Sequence, residues 1–508
     1  MRIRIVGAGA MGRGIAQWAA SAGHTVELGD VRTEAVREAV DFVRSMLDRA
    51  VAKGRMSAPD SAAALSRLLP LDDPWAPGPD VELVIEAVLE DLATKTEVFG
   101  KLEQALPAST VFATNTSSLS VTRIAASLTD PTRLAGLHFF NPVPLMRIVE
   151  VVPGAATRAE LPPLLTELVE SCGHRAVTVA DTPGFLVNHA GRGLVTEALA
   201  LLEESVAAPE DIDRIARDVL GLRMGPFELM DLTGLDVTAA VIDSIWQGFR
   251  HEPRLRPSYL TPNRVAAGLH GRKTGQGWYA YGAGAPAAAA EAPVTGNAER
   301  PVFVAGAGDD TDAAALRDAL AAAAANVENG THPSAEALVL VPAWGTTVAE
   351  TIAARQLPAT RTLGVDPLSL PGGRRVLAVT PATDPATARD ARAVLARADH
   401  TVTVVRDTAG SVAQRLLASV VSIATSIAER SLATPEDIDL AVTLGLGYPT
   451  GPLAWGDRIG TTRLLRLQRA LHTTTGDPRH RPTRWLTERA QLGLPLTHSG
   501  TPPEACIG

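Results

Sequence analysis

The residues best suited to do chemistry lie in one stretch of the first half of the chain. His138 and Asn141 come at the end of a predicted strand, and Glu150 lies in the next predicted strand. A histidine ring that titrates near neutral pH accepts a proton readily. A carboxylate behind such a ring fixes its tautomer and stabilises the imidazolium. The pattern predicts a histidine general base with a carboxylate partner, and the alternative is a histidine with a purely structural role.

A glycine-rich turn at the start of the chain predicts a nucleotide site. The sequence GAGAMG at 7–12 follows a strand and opens a helix, and Asp30 ends the next apolar run. Gly7 makes the tight turn, Gly9 lets a pyrophosphate approach the backbone, and Gly12 lets the helix pack on the strand. The helix N-terminus attracts phosphate. Asp30 would bind both ribose hydroxyls and repel a 2′-phosphate, which favours NAD over NADP. The alternative is a glycine turn in another kind of α/β unit.

A general base beside NAD favours one reaction class, the oxidation of an alcohol. The base removes the hydroxyl proton while hydride leaves the carbon for the nicotinamide. Two other classes stay open on this argument. One is a non-catalytic protein that binds NAD or CoA, and the other is a dehydrogenase of small free hydroxy acids.

Alternating apolar strands and helical stretches predict a doubly wound α/β fold over residues 1–180. Helices are predicted to start near Ala10 and to span 32–53 and 161–172. After Asp181 the pattern changes to helices without clear strands. The predicted strands are 2–6, 25–28, 83–86, 110–114, 133–139, 148–152 and 176–179, and the later helices are 185–205, 209–220 and 234–249.

The second half of the chain repeats the first. Four motifs recur at one constant offset of 226, so the helical region is duplicated without gaps at these points. The pairs are 181–184 with 407–410, 209–213 with 435–439, 225–226 with 451–452, and Asp231 with Asp457. The α/β region repeats more loosely. VFVAGAG at 302–308 resembles residues 3–9, but Thr311 stands at the third glycine position.

These boundaries predict five segments. They are an NAD-binding Rossmann-type domain (1–180), a helical substrate and dimerisation-type domain (181–282), an Ala/Pro/Gly linker (283–299), a degenerate Rossmann-like domain (300–406) and a second helical domain (407–500).

Bulk composition narrows the class of protein. A length of 508 residues predicts about three or four domains. A net charge of −9 argues against a nucleic-acid partner. Two cysteines and no Cys/His cluster predict neither a disulfide framework nor a metal site. The first strand begins at residue 2, and no apolar run reaches the roughly 18 residues of a membrane span, so we expect a cytoplasmic protein without a membrane partner.

Seven strings make residues 1–282 resemble the L-3-hydroxyacyl-CoA dehydrogenase family. They are GAGAMGRGIAQ (7–17), VIEAVLEDLATK (84–95), NTSSLS (115–120), GLHFFNPVPLMRIVEVV (136–152), DTPGFLVN (181–188), GPFELMDLTGLD (225–236) and GRKTGQGWYAY (271–281). The two-part layout resembles the longer bacterial members, which act as 3-hydroxyadipyl-CoA dehydrogenases. The resemblance implies an NAD-dependent enzyme that oxidises a 3-hydroxyacyl-CoA to the 3-oxoacyl-CoA.

The resemblance also implies roles for single residues. His138 would be the base, Glu150 its partner, Ser117 a hydrogen-bond donor to the reacting oxygen, and Asn188 a contact near the thioester carbonyl. The remaining roles are binding roles. Contacts on the cofactor side would come from Glu90, Lys95, Asn141 and Lys273, and Lys53 would bind the CoA phosphates.

The second half departs from the catalytic pattern. At the offset of 228 shared by neighbouring motifs, His138 corresponds to Asp366 and Glu150 to Ala378, and Asn188 corresponds to Gln414 at 226. We therefore expect one active site per chain. The two helical copies are expected to form a pseudo-twofold interface, which predicts either a monomer with an internal pseudo-dimer or a homo-oligomer.

Overall fold

A computed structural model describes residues 1–282, 290–306 and 310–507. Two compact units are present. The first contains Met1–His189 and Arg430–Leu446, and the second contains Ala190–Glu429 and Gly447–Gly508. Part of the predicted linker (283–289) and the end of the predicted glycine repeat (307–308) lie outside the described residues.

The strands form two sheets, one in each unit. Those of the first sheet are β1 (Arg2–Val6), β2 (Thr25–Gly29), β3 (Leu68–Pro70), β4 (Leu83–Glu86), β5 (Val111–Thr114), β6 (Leu134–Phe139), β7 (Ile148–Pro153) and β8 (Arg175–Thr178). Those of the second sheet are β9 (Val302–Val304), β10 (Leu338–Pro342), β11 (Thr362–Val365), β12 (Arg374–Val379) and β13 (Thr401–Arg406).

Helices surround both sheets and make up most of the remaining regular structure. The helices that precede residue 190 are α1 (Ala10–Ser21), α2 (Thr33–Ala52), α3 (Ala58–Ser66), α4 (Leu92–Ala105), α5 (Val121–Ala125), α6 (Leu161–Ser171) and α7 (Val187–Ala190). Those of the first helical copy are α8 (Arg192–Glu203), α9 (Pro209–Asp218), α10 (Pro226–Thr233), α11 (Leu235–Gly248) and α12 (Leu260–Ala266). The later ones are α13 (Thr311–Ala322), α14 (Val348–Arg355), α15 (Pro385–Leu395), α16 (Ser411–Glu429), α17 (Pro435–Leu446), α18 (Pro452–Ile459), α19 (Thr461–Thr475) and α20 (Arg484–Leu492).

The first sheet confirms the predicted doubly wound fold. Its strand order is β3-β2-β1-β4-β5-β6-β7-β8, and β6 and β7 are the antiparallel pair. The central strands are buried on both faces, which is why they read as continuous apolar runs. On one face, α1 and α6 pack into the same core as these strands. The carboxyl ends of β1, β4, β5 and β6 therefore meet at one edge, where open α/β sheets bind ligands.

The predicted long helix over 185–205 is wrong in its first part. Phe185 has a φ of 50°, a left-handed conformation that no helix continues through. The chain instead forms the short α7, and α8 begins only after Gly191. The same left-handed pair recurs at Gly410 and Ser411, so the turn belongs to the repeated backbone fold, and at Phe185 it packs the buried ring beside that of His138. The expected absence of strands over 185–249 is confirmed for these residues, all of which are described.

The second sheet is a shortened copy of the first. Its order is β13-β12-β11-β10-β9, with β11 and β12 antiparallel as β6 and β7 are. Helices α13 and α15 pack on one face of it, as α1 and α6 do in the first sheet. In the first sheet, β2 lies beside β1. At the corresponding position in the described part of the second half, a single bridge joins Val327 to β9. One described helix separates β9 from β10, whereas three helices and two strands separate β1 from β4.

The two helical copies pack against each other through α8 and α16. A Cβ on Gly193 would lie 2.9 Å from the carbonyl oxygen of Ser419, so the two helix backbones cross in contact. Of the predicted contact face, Leu194, Ala198 and Leu201 are buried and Leu202 is half-buried. The two copies therefore pack together as the repeat predicts.

One expectation about apolar length is corrected. Helix α16 has 19 residues and is long and apolar enough to cross a membrane by length and composition alone, and 89% of its apolar window is buried inside the protein. Its Arg415 makes an ion pair of 2.6 Å with Glu197 of α8. Both side chains are almost completely buried. These contacts are those of a core helix.

Candidate active site

The glycine turn has the geometry that a dinucleotide requires. Gly7 has a φ of 107°, and a Cβ there would lie 2.4 Å from the Ala87 carbonyl oxygen. A Cβ on Gly12 would lie 1.7 Å from the carbonyl oxygen of Gly7. Among the described residues, by contrast, none would lie within 4 Å of a Cβ on Gly9, and no side chain caps α1. The free N–H groups of this helix start, next to an open approach, fit the pyrophosphate of NAD.

Asp30 lies at the end of β2, beside the glycine turn. Its Oδ2 accepts a hydrogen bond of 2.8 Å from the Ala8 N–H, and its Oδ1 accepts one of 2.9 Å from the Arg32 N–H. The carboxylate therefore holds the turn in addition to its predicted role at the ribose. Each carboxylate oxygen has a second lone-pair site, so ribose hydroxyls can bind without breaking these contacts.

His138 and Glu150 form the predicted pair across β6 and β7. The two residues are directly opposite each other in the sheet, and Nδ1 of His138 lies 2.5 Å from Oε2 of Glu150. Glu150 is fully buried and His138 nearly so, with the rings of Phe140 and Phe185 packed on the imidazole. With Nδ1 bound to the carboxylate, Nε2 is the nitrogen that remains for proton transfer.

Backbone groups hold Glu150 in place. Its Oε1 accepts hydrogen bonds of 2.9 and 2.8 Å from the N–H groups of Leu186 and Val187. These donors directly follow the left-handed turn at Gly184 and Phe185 that leads into α7. Sequence reasoning found Glu150 but missed its donors, because backbone N–H groups leave no trace in residue type.

Ser117 lies in the turn between β5 and α5, and Glu90 organises this turn. Oε1 of Glu90 accepts hydrogen bonds from Thr116 Oγ1 (2.7 Å), the Ser117 N–H (2.8 Å) and the Ser118 N–H (2.9 Å). Burial raises the pKa of Glu90, but Lys95 and these donors outweigh it and lower the pKa to about 2. Asn115 in the same turn accepts from the Phe139 N–H. These bonds tie the exposed Ser117 to the strand that carries His138.

Lys95 is buried between two carboxylates. Its side chain is only 1% exposed, and its Nζ lies 2.6 Å from Oε1 of Glu86 and 3.3 Å from Oε2 of Glu90. Its observed contacts therefore support the Glu90 carboxylate, and a contact with the cofactor stays a prediction. Glu86 was missed, although a carboxylate that ends an otherwise apolar buried strand was a signal.

Three further residues have a place in the fold, while their roles stay predictions. Asn141 is exposed in the loop after β6, and the peptide bond between Asn141 and Pro142 is cis. Asn188 is half-buried in α7, directly after the turn that holds Glu150. Lys273 lies in the second unit, where its Nζ is 2.5 Å from Asp236 Oδ1.

Lys53 lines a cavity of about 450 Å³ between α1, α2 and the loop after β6. The guanidinium of Arg13 stacks on the Phe42 ring at 3.8 Å in this cavity. The basic side chains that line it are Arg13, Arg49, Lys53, Arg55 and Arg147. A cavity lined by five cationic side chains and one aromatic ring suits a ligand that carries phosphates and a nucleobase.

In the second half, hydrogen bonds occupy the side chains at the positions that correspond to His138 and Asn188. Gln414 Nε2 donates to Asp366 Oδ1 at 3.0 Å, and Gln414 Oε1 accepts from the Gly345 N–H at 2.9 Å. Asp366 lies opposite Val376 in the sheet, so Val376, and not the expected Ala378, is the structural counterpart of Glu150. At the start of α13, the Asp310 side chain accepts hydrogen bonds from two backbone N–H groups. At the corresponding start of α1, no side chain caps the helix. These contacts support the expectation of one active site per chain.

Two family models match the chain. The family model for the NAD-binding domain of 3-hydroxyacyl-CoA dehydrogenase matches residues 2–182, and that for the C-terminal domain matches 184–281 and 410–501. The C-terminal domain is thus matched twice, as the repeat predicts.

Relatives of two lengths match the chain. The 3-hydroxyadipyl-CoA dehydrogenase of Escherichia coli (strain K12) is 37% identical over 96% of this chain and 97% of that protein. The probable 3-hydroxybutyryl-CoA dehydrogenase of Bacillus subtilis (strain 168) is 38% identical over 55% of this chain and 97% of that protein. A crystal structure of a 3-hydroxybutyryl-CoA dehydrogenase from Escherichia coli K12 has a TM-score of 0.85 and 35% identity, and covers 97% of this chain and 98% of that one.

The chain belongs to the 3-hydroxyacyl-CoA dehydrogenase family. It is an NAD-dependent oxidoreductase that converts a 3-hydroxyacyl-CoA to the 3-oxoacyl-CoA. This excludes the non-catalytic interpretation that the sequence left open.

Proposed function

We propose that His138 is the general base of this reaction and that Glu150 is its partner. The observation that carries the proposal is the buried contact of 2.5 Å between Nδ1 of His138 and Oε2 of Glu150. The carboxylate holds the ring as the tautomer with a proton on Nδ1, so Nε2 has a free lone pair. Such a lone pair accepts the proton of the substrate hydroxyl.

The residues divide the work of the oxidation as follows. Nε2 of His138 takes the proton of the 3-hydroxyl, the carbonyl forms at C3, and hydride leaves C3 with its electron pair. NAD, when bound, would supply the hydride acceptor. Glu150 stabilises the imidazolium that results, and the Ser117 hydroxyl donates a hydrogen bond to the reacting oxygen. Asn188 would hold the thioester end of the substrate.

The basic cavity is proposed to bind the CoA end of the substrate. Its five cations can pair with the phosphates of CoA, while Phe42 offers an apolar face. Lys53 is one of these cations, which supports its predicted role. Replacement of Lys53 by alanine is expected to raise KM for the CoA thioester without changing KM for NADH.

We propose a 3-hydroxyadipyl-CoA type of substrate. The support is the named activity of the relative that matches nearly the full length of both chains. The crystal structure that matches at full length is named a 3-hydroxybutyryl-CoA dehydrogenase, which makes 3-hydroxybutyryl-CoA the second candidate. Steady-state kcat/KM for both thioesters, measured with NAD, decides between them. The free 3-hydroxy acids serve as a third arm, and turnover of these in preference to the thioesters would overturn the proposal.

We also propose a cytoplasmic enzyme that works without nucleic acid or membrane partners, as an internal pseudo-dimer within one chain or as a homo-oligomer of such chains. The packing of α8 on α16 supports the internal pseudo-dimer. Light scattering of the purified chain at micromolar concentration would measure its mass.

A further inference from the structure

One segment of the catalytically degenerate half is part of the first unit. Residues 430–446, which include α17, pack against β7 and β8 of the first sheet. Strand β8 is the edge strand of this sheet, and two of the contacts are hydrogen bonds. The Ala180 N–H donates to the Leu432 carbonyl at 2.9 Å, and the Thr178 N–H donates to Asp437 Oδ2 at 3.4 Å. The segment therefore fixes the chain just where it leaves β8.

The same arrangement occurs in the second unit with the roles of the copies reversed. There the Arg406 N–H donates to the Val206 carbonyl at 2.9 Å, and each of these residues is 226 positions from its counterpart. Helix α9 packs against β12 in the same way. A contact that recurs under the repeat symmetry is a feature of the fold and not an isolated touch.

The carboxyl end of α17 makes a second contact, with Val187. A Cβ on Gly445 would lie 2.9 Å from both γ carbons of the buried Val187. Apolar carbons normally lie about 3.5–4.0 Å apart, so even an alanine at Gly445 would displace Val187 by roughly 0.6–1 Å. The backbone of Gly445 is not in the left-handed conformation. The close approach of Val187 is therefore the reason that a glycine is required here.

Between these two contacts the chain forms the turn that holds Glu150. Residues 178 and 180 are fixed at one end and Val187 at the other. The N–H groups of Leu186 and Val187 bind Oε1 of Glu150 within this span. A shift of Val187 therefore moves the acceptor that orients the His138 ring.

We propose that the segment 430–446 of the second half positions Glu150, and through it the His138 ring, in the active site of the first half. This inference rests on the proposed roles of His138 and Glu150. It gives the second half a part in catalysis although that half has lost its own base. The residues of α17 touch neither substrate nor cofactor, so Gly445 is a positioning residue.

The test enlarges Gly445 and then makes room for it. Gly445→Ala is expected to lower kcat about tenfold and Gly445→Val about a hundredfold, since a 1 Å misplacement at a catalytic group costs about that much. KM for NADH should stay within about twofold, because the glycine turn is remote from this segment in the sheet order. Alanine also has a higher helix propensity than glycine, so a loss of kcat in Gly445→Ala cannot come from a weakened helix.

Rescue by size separates positioning from general damage. Val187→Ala removes both γ carbons, so the double variant Gly445→Ala/Val187→Ala should regain most of the lost kcat. The matched control is Leu444→Ala, a partly exposed position on the same helix, which should leave kcat and KM unchanged.

Each outcome has a defined meaning. Loss of kcat with an unchanged KM for NADH and recovery in the double variant supports the proposal. A folded Gly445→Val protein with wild-type kcat overturns it, and so does a Gly445→Ala loss that Val187→Ala does not relieve. If Gly445→Val does not fold, the milder Gly445→Ala pair decides. A wild-type kcat in His138→Gln would refute the proposed roles of His138 and Glu150, whereas an inactive His138→Gln together with fully active Gly445 variants refutes this inference alone.

Discussion

Replacing Glu150 by glutamine should nearly abolish turnover while leaving the fold intact. In the native protein, Oε1 accepts two backbone N–H groups and Oε2 contacts Nδ1 of His138. A glutamine has one acceptor oxygen, and the two N–H groups of Leu186 and Val187 require it. Its NH2 group must then point at Nδ1 and donate to it. The His138 ring is forced into the tautomer with the proton on Nε2, where it cannot accept the proton of the substrate.

The size of the effect follows from that tautomer. A comparable Asp-to-Asn change in a Ser-His-Asp triad lowers kcat about 10⁴-fold, and we expect a loss of about 10³–10⁴-fold for Glu150→Gln. Glu150→Ala should behave differently. It leaves two buried N–H groups without an acceptor at about 1–3 kcal/mol each, so it should lower the free energy of unfolding by about 2–6 kcal/mol. It does not, however, force the wrong tautomer.

The kcat of each variant is measured from the decrease in NADH absorbance with acetoacetyl-CoA as the substrate. The Tm of each variant is measured by thermal unfolding. The expected order is a lower kcat but a higher Tm for Glu150→Gln than for Glu150→Ala. A Glu150→Gln enzyme with kcat within about tenfold of the wild type would refute the assigned tautomer. A Glu150→Gln protein that unfolds as early as Glu150→Ala would refute the account of the two backbone donors.

Four further predictions follow from other parts of the molecule. His138→Gln should lower kcat about 10²–10⁴-fold with NADH binding retained, as fluorescence titration of NADH would show. Asp30→Ser should narrow the preference for NAD over NADP and raise KM for NAD, because it loses the ribose contacts and also the bond to the glycine turn; equal use of NADPH by the wild type would contradict this. Deletion of residues 300–508 should expose the packed face of α8 and give an aggregated or newly dimeric protein, so a stable, fully active monomer by light scattering would contradict it. Burial raises the pKa of Glu197, but Arg415 and its other cationic neighbours outweigh this and lower it to about 2; since the folded pKa lies below the unfolded one, the stabilisation is present above about pH 4.5 and is lost as the pH falls toward 2, and Glu197→Gln should flatten that part of the urea-unfolding profile.

Local signals in the sequence determined much of the first unit. The turn GAGAMG, the apolar strands and the acid at Asp30 are each read from residues close together, because strand periodicity and glycine conformation are local properties. The pairing of His138 with Glu150 was also predictable, since both lie on neighbouring strands that the chain connects directly. The repeat at offset 226 predicted the contact between the two helical copies.

Tertiary structure alone decided how these parts are held. By sequence, Lys95 is a charged residue with an expected contact on the cofactor side, but in the fold it is buried between Glu86 and Glu90. The donors to Glu150 are backbone N–H groups, which every residue except proline carries, so no residue type could reveal them. The contact of Gly445 with Val187 joins residues far apart in sequence, and only the folded chain brings them together. The residue pattern specifies the local conformation and the side chains that could do chemistry. Long-range packing determines which of those side chains and backbone groups meet.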